Sequence, residues 1–234
     1  GLAIAAGVGI LAAWGSPGPE VFGGLLLTLW LAVAGILLSF PAGVLLALGR
    51  RSSLPAVRAV ATGYIELIRG VPLVALIFMG QFVIPLLLPP RPEPLGDVTR
   101  ALVAIVLFTA AYVAEIVRGG LQSIPRGQTD AAMALGLPHV ATIRLIVLPQ
   151  ALRTVIPPLV GQFITLFKDT SLVTTIGLLE LLGFAQAVTS QPQFVGRDLQ
   201  PETLAFASLV FWVGAYSMSR ASQRLETRLG VGLR

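Results

Sequence analysis

The stretch Asp130-Ala-Ala-Met-Ala-Leu-Gly136-Leu-Pro-His139-Val-Ala-Thr-Ile-Arg-Leu-Ile146-Val-Leu-Pro149 decides how this chain is read. It predicts a short helix, a glycine break and a second helix. Asp130 in the first turn suits the positive end of the helix dipole, and Thr129 offers a capping hydroxyl. Gly136 suits the left-handed residue that follows a helix end, and Pro149 is expected to stop the second helix. Ala131, Ala132 and Ala134 give a small-residue surface that permits close approach. Long apolar segments flank the pair on both sides. A polar helix pair between two membrane spans needs a partner outside the bilayer.

Composition agrees with those flanks. Of 234 residues, 55% are hydrophobic and only 12% charged, with a mean hydropathy of +0.86, whereas about 25% of an ordinary soluble domain is charged. This is the composition of a polytopic membrane protein. A net charge of +5 would suit nucleic acid, but its placement does not. There are one lysine and fifteen arginines, nearly all beside apolar segments, where basic residues set membrane orientation. The same flanks argue against a DNA-reading helix-turn-helix at 130–149. Cysteine is absent, so there is no disulfide framework or thiolate metal site. His139 is the only histidine, which rules out a histidine-based zinc site or catalytic triad within this chain.

Five core spans are expected. Val21 to Leu48 is an apolar run of full membrane length, since about 20 helical residues cross the hydrocarbon. Residues 52–70 read as an amphipathic connecting helix, with Val57, Val60, Ala61, Tyr64, Ile65 and Ile68 recurring at helical spacing. Gly70-Val-Pro72 opens a second run ending near Leu88, and Pro89 to Pro94 is a stiff loop. Residues 101–117 make the third span, 154–187 an interrupted fourth, and Leu204 to Met218 the fifth. Residues 1–14 read as the end of a preceding span, followed by an outside linker to residue 19. The transmembrane body occupies 20–220, and a basic tail follows at 221–234.

Arginine placement orients the spans. Segments 49–70, 118–153 and 219–234 hold four arginines each, whereas the loops on the other side hold only Arg91, Arg100 and Arg197. The arginine-rich side is therefore expected to be cytoplasmic, which puts the 125–149 segment and the C-terminus inside.

The spacing of Asp130-Ala-Ala, Gly136 and Ile146-Val-Leu-Pro149 resembles the EAA loop of ABC-importer permeases, with Asp130 at the usual glutamate position. Three more segments resemble the polar amino-acid branch of that family. They are Tyr64-Ile-Glu66-Leu-Ile-Arg69-Gly-Val-Pro72, Tyr112-Val-Ala-Glu115-Ile-Val-Arg118 with Ser123-Ile-Pro125-Arg-Gly-Gln128, and Lys168-Asp169-Thr170-Ser171-Leu172. Ser217-Met-Ser-Arg220 and Ser222-Gln-Arg224-Leu-Glu226 resemble its general L-amino-acid members, which often carry extra N-terminal spans. The resemblance implies a non-enzymatic transport subunit whose residues Asp130, Ala131, Ala132, Gly136, His139, Ile146 and Pro149 couple to a separate dimer of ATP-binding subunits. That dimer holds ATP and Mg; no cofactor is expected in this chain. A second permease subunit, identical or homologous, completes the pore in the lipid membrane, and an extracytoplasmic binding protein delivers the amino acid. The sequence agrees on one point: a P-loop needs Gly-x4-Gly-Lys-Ser/Thr, and the only lysine, Lys168, follows Phe167.

Lys168 and Asp169 are the costly residues. They lie some 15 residues beyond Arg153, roughly 22 Å along a helix, and a charge at such depth is a functional-site hypothesis. Side by side, they answer the carboxylate and ammonium of a zwitterion, or they form an internal ion pair that locks two spans. Thr170, Ser171 and Gly177 permit a break in the helix that exposes backbone to a ligand. Candidate substrate-binding residues are therefore Lys168, Asp169, Thr170 and, more remotely, Glu115. Glu115 with Arg118, and Glu66 with Arg69, have the spacing of pairs on one helix face. Glu180 is a further intramembrane carboxylate with no partner evident in the sequence. Two rival functions remain: a stand-alone secondary transporter or channel, which would carry an inverted repeat that is not evident here, and a non-transporting scaffold.

Overall fold

A computed structural model describes residues 23–87 and 95–228, and these fold as helices joined by short turns. The N-terminal apolar segment at 1–14, the Pro89–Pro94 loop and the end of the basic tail lie outside the described residues. Helix α1 is Gly24–Arg50, α2 Pro55–Arg69 and α3 Leu73–Leu87. Asp97–Gln122 is α4 and Arg126–Ala134 is α5. Helix α6 runs through His139–Thr142, a π-turn at Ile143–Val147 and Leu148–Asp169. A 3₁₀ segment, Thr170–Ile176, leads to α7, Leu181–Val188, and then to α8, Gln200–Arg228. Three continuous helices, and a fourth span if the bent α2–α3 pair counts as one, are long and apolar enough to cross a membrane. The fifth expected span, Leu204 to Met218, lies within α8, which is not among those helices.

The packing carries the up-and-down order of the spans. Gly35 of α1 lies against Ile105 of α4, and Gly43 against Val113, while Arg50 reaches Glu115; α1 and α4 are therefore parallel. Helix α6 runs the other way. Its Val155 sits at Gly120 of α4, and its Leu166 at Gly35 of α1. Helix α3 is also antiparallel to α4, with Gly80 against Arg100 and Ala104. The main core is apolar, formed by Leu27, Leu31, Leu102, Ile105, Leu166 and Val173. Large apolar side chains also face outward, such as Leu37 on α1 and Phe206 and Trp212 on α8, as lipid requires.

Small residues set the distances. Lipid tails are as apolar as leucine, so membrane helices associate through close packing. A Cβ on Gly43 would lie 2.5 Å from Cγ1 of Val113, and one on Gly214 would lie 2.6 Å from the Phe167 ring. Phe167 is thus packing against α8, where it also meets Phe211.

Prolines shape the helices differently from expectation. Gly70 to Pro72 turns α3 away from α2 by 107°, since the residue before proline is pushed out of the helical region. Pro149 does not stop a helix. It sits in the first turn of Leu148–Asp169, directly after the π-turn. Pro85 likewise follows the π-turn Met79–Val83 within α3. A proline lacks the amide hydrogen and its ring strikes the carbonyl four residues back. Those carbonyls belong to Leu145 and Gln81, both inside the widened turns. The released carbonyl of Gln81 accepts from Nη1 of Arg100 at 2.8 Å. The helix continues because the π-turn absorbs the clash.

Two glycine substitutions should separate contact from flexibility. Gly43→Ala should lower the thermal unfolding temperature of the purified protein, by about 1–3 kcal/mol of overpacking. Gly63→Ala lies mid-helix in α2 with nothing within 4 Å, and should leave stability unchanged or raise it by about 0.5–1 kcal/mol.

Candidate functional site

The polar helix pair is built on a tight glycine turn. Gly136 has φ +78°. Its amide donates to the Met133 carbonyl at 2.9 Å, and the Leu137 amide to the Ala132 carbonyl at 3.1 Å. This is the paired closure that satisfies the last carbonyls of a helix. The start of α5 differs from expectation. Arg126 opens the helix, with Pro125 as N-cap and no acidic residue in the first turn. Thr129 and Asp130 are therefore interior, and no side chain caps the helix. Pro125, with its fixed φ, starts the helix four residues early.

The alanines divide. Ala132 is buried against the chain itself, while Ala131 and Ala134 are exposed. Helix α5 packs on the Ile143–Val147 π-turn, and the Gln150 side chain ties the two helices by donating to the Ile146 carbonyl and to Gln128. What the pair presents outward is apolar: Leu135 is 83% exposed and Val140 75%. Met133 and Leu145 are exposed beside them. Asp130 is exposed too. His139 opens α6, and its side chain is outside the described set.

At the far end of α6, the helix ends at Asp169 and tightens into the 3₁₀ segment, closed by Gly177 at φ +87°. The expected break is therefore present. Lys168 is exposed and Asp169 half-buried. Neither forms an ion pair among the described residues, so the internal lock is not made among them. Thr170 is fully buried and its hydroxyl donates to the Phe167 carbonyl at 2.7 Å; that hydroxyl closes the helix end.

Glu115 is elsewhere. It lies beside Arg50, whereas Leu166, two residues before Lys168, meets Gly35. Those α1 positions are fifteen residues apart, about 22 Å along a helix. Glu115 accepts from Arg50 at 2.6 Å and from Arg118 at 2.7 Å, with Arg69 at 3.5 Å. Glu66 pairs with Arg50 at 3.0 Å, not with Arg69, whose guanidinium lies over the Tyr112 ring. The i,i+3 spacing predicted a local pair for Glu66, but the interhelical geometry won. These groups clasp α1, α2 and α4 at the end next to α5.

The sequence reading left Glu180 without a partner, and the structure gives it several. It is fully buried. Its Oε1 accepts from Thr174 Oγ1 at 2.7 Å and from the Gly183 amide at 2.9 Å, and its Oε2 from Thr28 Oγ1 at 3.1 Å. Its position directly before an apolar helix was the available signal, although glutamate is not a favoured N-cap.

Replacing Glu115 should leave three arginines facing one another. Glu115→Ala should destabilise the protein by about 2–3 kcal/mol. That is less than the ~3–5 of a fully buried pair, because the arginines reach water. Thermal unfolding at low and high salt checks it, and high salt should narrow the gap.

Comparison with known proteins follows the same lines. Residues 39–231 match the family described as binding-protein-dependent transport system inner membrane component. The chain is 48% identical over 211 residues to the inner membrane amino-acid ABC transporter permease protein YhdY of Escherichia coli strain K12, covering 90% of this chain and 57% of that one. It is 44% identical over 216 residues to the glutamate/glutamine/aspartate/asparagine transport system permease protein BztC of Rhodobacter capsulatus, covering 90% and 49%. The chain thus spans about half the length of these two relatives. A crystal structure of an amino acid ABC transporter with histidines superposes with a TM-score of 0.78 at 28% identity, over 88% of this chain and 92% of that one. With more than two thirds of its length inside one family match, and with a fold that superposes on a solved transporter, this chain belongs to the inner membrane components of binding-protein-dependent transport systems.

Proposed function

We propose that the chain is a permease subunit of an ATP-driven importer that moves amino acids across the cytoplasmic membrane of a prokaryote by alternating access. The observation that carries this is the exposed apolar surface of Met133, Leu135, Val140 and Leu145 on a helix pair beside arginine-rich segments. Contiguous apolar surface next to charged groups marks a protein–protein site. The occupant is a dimer of ATP-binding subunits, which hydrolyses ATP with Mg, because this chain lacks a P-loop. The coupling segment at 125–149 and the C-terminus are cytoplasmic, in keeping with the arginine asymmetry.

The helix pair is not an appended loop. Ala132 is buried against its own chain, and Gln150 of α6 reaches Gln128 of α5. A push on Leu135 is therefore delivered to a helix that runs without interruption to Lys168 and Asp169. Those two charges have no ion-pair partner among the described residues and lie at membrane depth. An unpaired charge facing lipid is costly, so their place is a water-filled path shared with a second permease subunit, identical or homologous. There they take the carboxylate and ammonium of an amino acid supplied by an extracytoplasmic binding protein. Thr170 contributes by fixing the helix end. Glu115 holds the clasp and takes no part in binding.

Leu135→Asp together with Val140→Asp should reduce co-purification of the ATP-binding subunits at least tenfold, with normal membrane insertion. Full recovery of the ATPase and unchanged uptake would remove the docking surface. Ala132→Leu, at a position buried in the chain, should instead lower the stability of the isolated permease. For the substrate path, Lys168→Met with Asp169→Leu removes both charges and leaves neither uncompensated. The assembled complex should stay stable and lose at least tenfold of its uptake; full uptake would place the binding site elsewhere.

A further inference from the structure

Glu180 joins three pieces of chain that would otherwise be free to move apart. Thr28 belongs to α1, Thr174 to the 3₁₀ break after Lys168-Asp169, and Gly183 to the first turn of α7; all three donate to this one carboxylate. Thr28 Oγ1 also accepts the Leu181 amide at 3.1 Å, and the Gly24 amide donates to the Leu179 carbonyl at 2.8 Å. No arginine or lysine pairs with Glu180 among the described residues. Space enforces the same arrangement: a Cβ on Gly183 would lie 2.9 Å from the Leu178 carbonyl and 3.1 Å from Thr174 Oγ1. A buried carboxylate is costly unless its oxygens are satisfied, and here every bond that satisfies it fixes a segment next to the break.

We infer that Glu180 is a positioning residue for the intramembrane break: through Thr174 it sets the direction in which the end of α6 presents Lys168 and Asp169, using α1 as the fixed support. The other face of α7 has room to move. Leu181 and Ala185 pack against Ala207 of α8 beside an apolar cleft of about 320 Å³ that Phe184 also lines, so the knot at the N-cap is the polar tie that fixes where α7 starts. Shape and acceptors matter here, and net charge does not. In Glu180→Gln the remaining oxygen still accepts from Thr174 and Gly183. The new amide donates to Thr28 Oγ1, which turns its own hydrogen to the Gly24 carbonyl, already 3.3 Å away. In Glu180→Ala the Gly183 amide and the Thr174 hydroxyl lose their partner, and Thr28 keeps only the Gly24 carbonyl and the Leu181 amide, so its link to the break is lost.

The inference rests on the proposed substrate path, and the test reads the break separately from transport. Residues 1–234 hold no cysteine, so Ser171→Cys reports on the break when the label is read on a proteolytic peptide that contains position 171. In the assembled transporter in lipid nanodiscs, a water-soluble maleimide should label position 171 at least fivefold faster in the Glu180→Ala background. In the Glu180→Gln background the rate should stay within twofold of the parent. Uptake should follow the same order, with Glu180→Ala raising the half-saturating amino-acid concentration at least fivefold and Glu180→Gln restoring it. Where Glu180→Ala does not assemble, Thr28→Val and Thr174→Val each remove one donor at constant shape and should raise labelling at least twofold. Unchanged labelling in all of these variants overturns the inference, as does Glu180→Gln behaving like Glu180→Ala. Changed labelling without any amino-acid uptake in the parent would refute the transport reading and leave the positioning role standing.

Discussion

The close parallel contact between α1 and α4 is the constraint from which the remaining geometry follows. Gly43 gives the Val113 side chain room that no other residue would leave. Gly35 and Ala47 extend the seam, the first toward Leu166 and Ile105, the second toward Ala114 and Ile65. Two spans can be parallel only if another crosses between them in the sequence, and the turn at Gly70 to Pro72 supplies that crossing. Once α1 and α4 are fixed, Arg50 falls beside Glu115 and Thr28 beside Glu180. The polar knots around Glu115 and Glu180 are therefore anchored on the same helix, one at each end.

The sequence exposed the architecture because lipid punishes exceptions. Apolar runs of membrane length, arginines at their ends and a polar helix pair between them are each large free-energy statements, and all were readable in one dimension. Gly136 and Gly177 were legible as well, because the left-handed conformation singles out glycine. Local spacing was a poorer guide where partners come from other helices. Glu66 and Arg69 satisfy the i,i+3 rule and still pair with different residues, since an interhelical guanidinium lay closer. Thr129 and Asp130 looked like a helix start only because nothing in their spacing shows that Pro125 has already begun the turn.

Prolines were misread for a more general reason. In water a proline ends a helix, because the released carbonyl can bond to solvent at little cost. In a membrane that carbonyl must find a donor within the protein. Here the chain widens the turn and, at Gln81, brings Arg100 to the released oxygen. Pro149 is handled by the same kind of turn, so α6 passes from the polar helix pair into the membrane unbroken. On the proposed coupling route that continuity matters, because a helix that stopped at Pro149 would leave a flexible joint between the surface at Leu135 and the charges at Lys168 and Asp169.

Of the candidate site residues, those that carry charge were easier to find than those that control it. Lys168 and Asp169 announce themselves by their cost. Thr28, Thr174 and Gly183 carry no such signal, since hydroxyls and glycines are ordinary in membrane helices, and their convergence on Glu180 is a property of the folded chain. The division has a physical origin. A binding residue must keep its polar group unsatisfied until the ligand arrives, so it stands out as an anomaly in the sequence. A positioning residue has to be fully satisfied in place, as the Glu180 carboxylate is, and it becomes visible only when its donors are seen together.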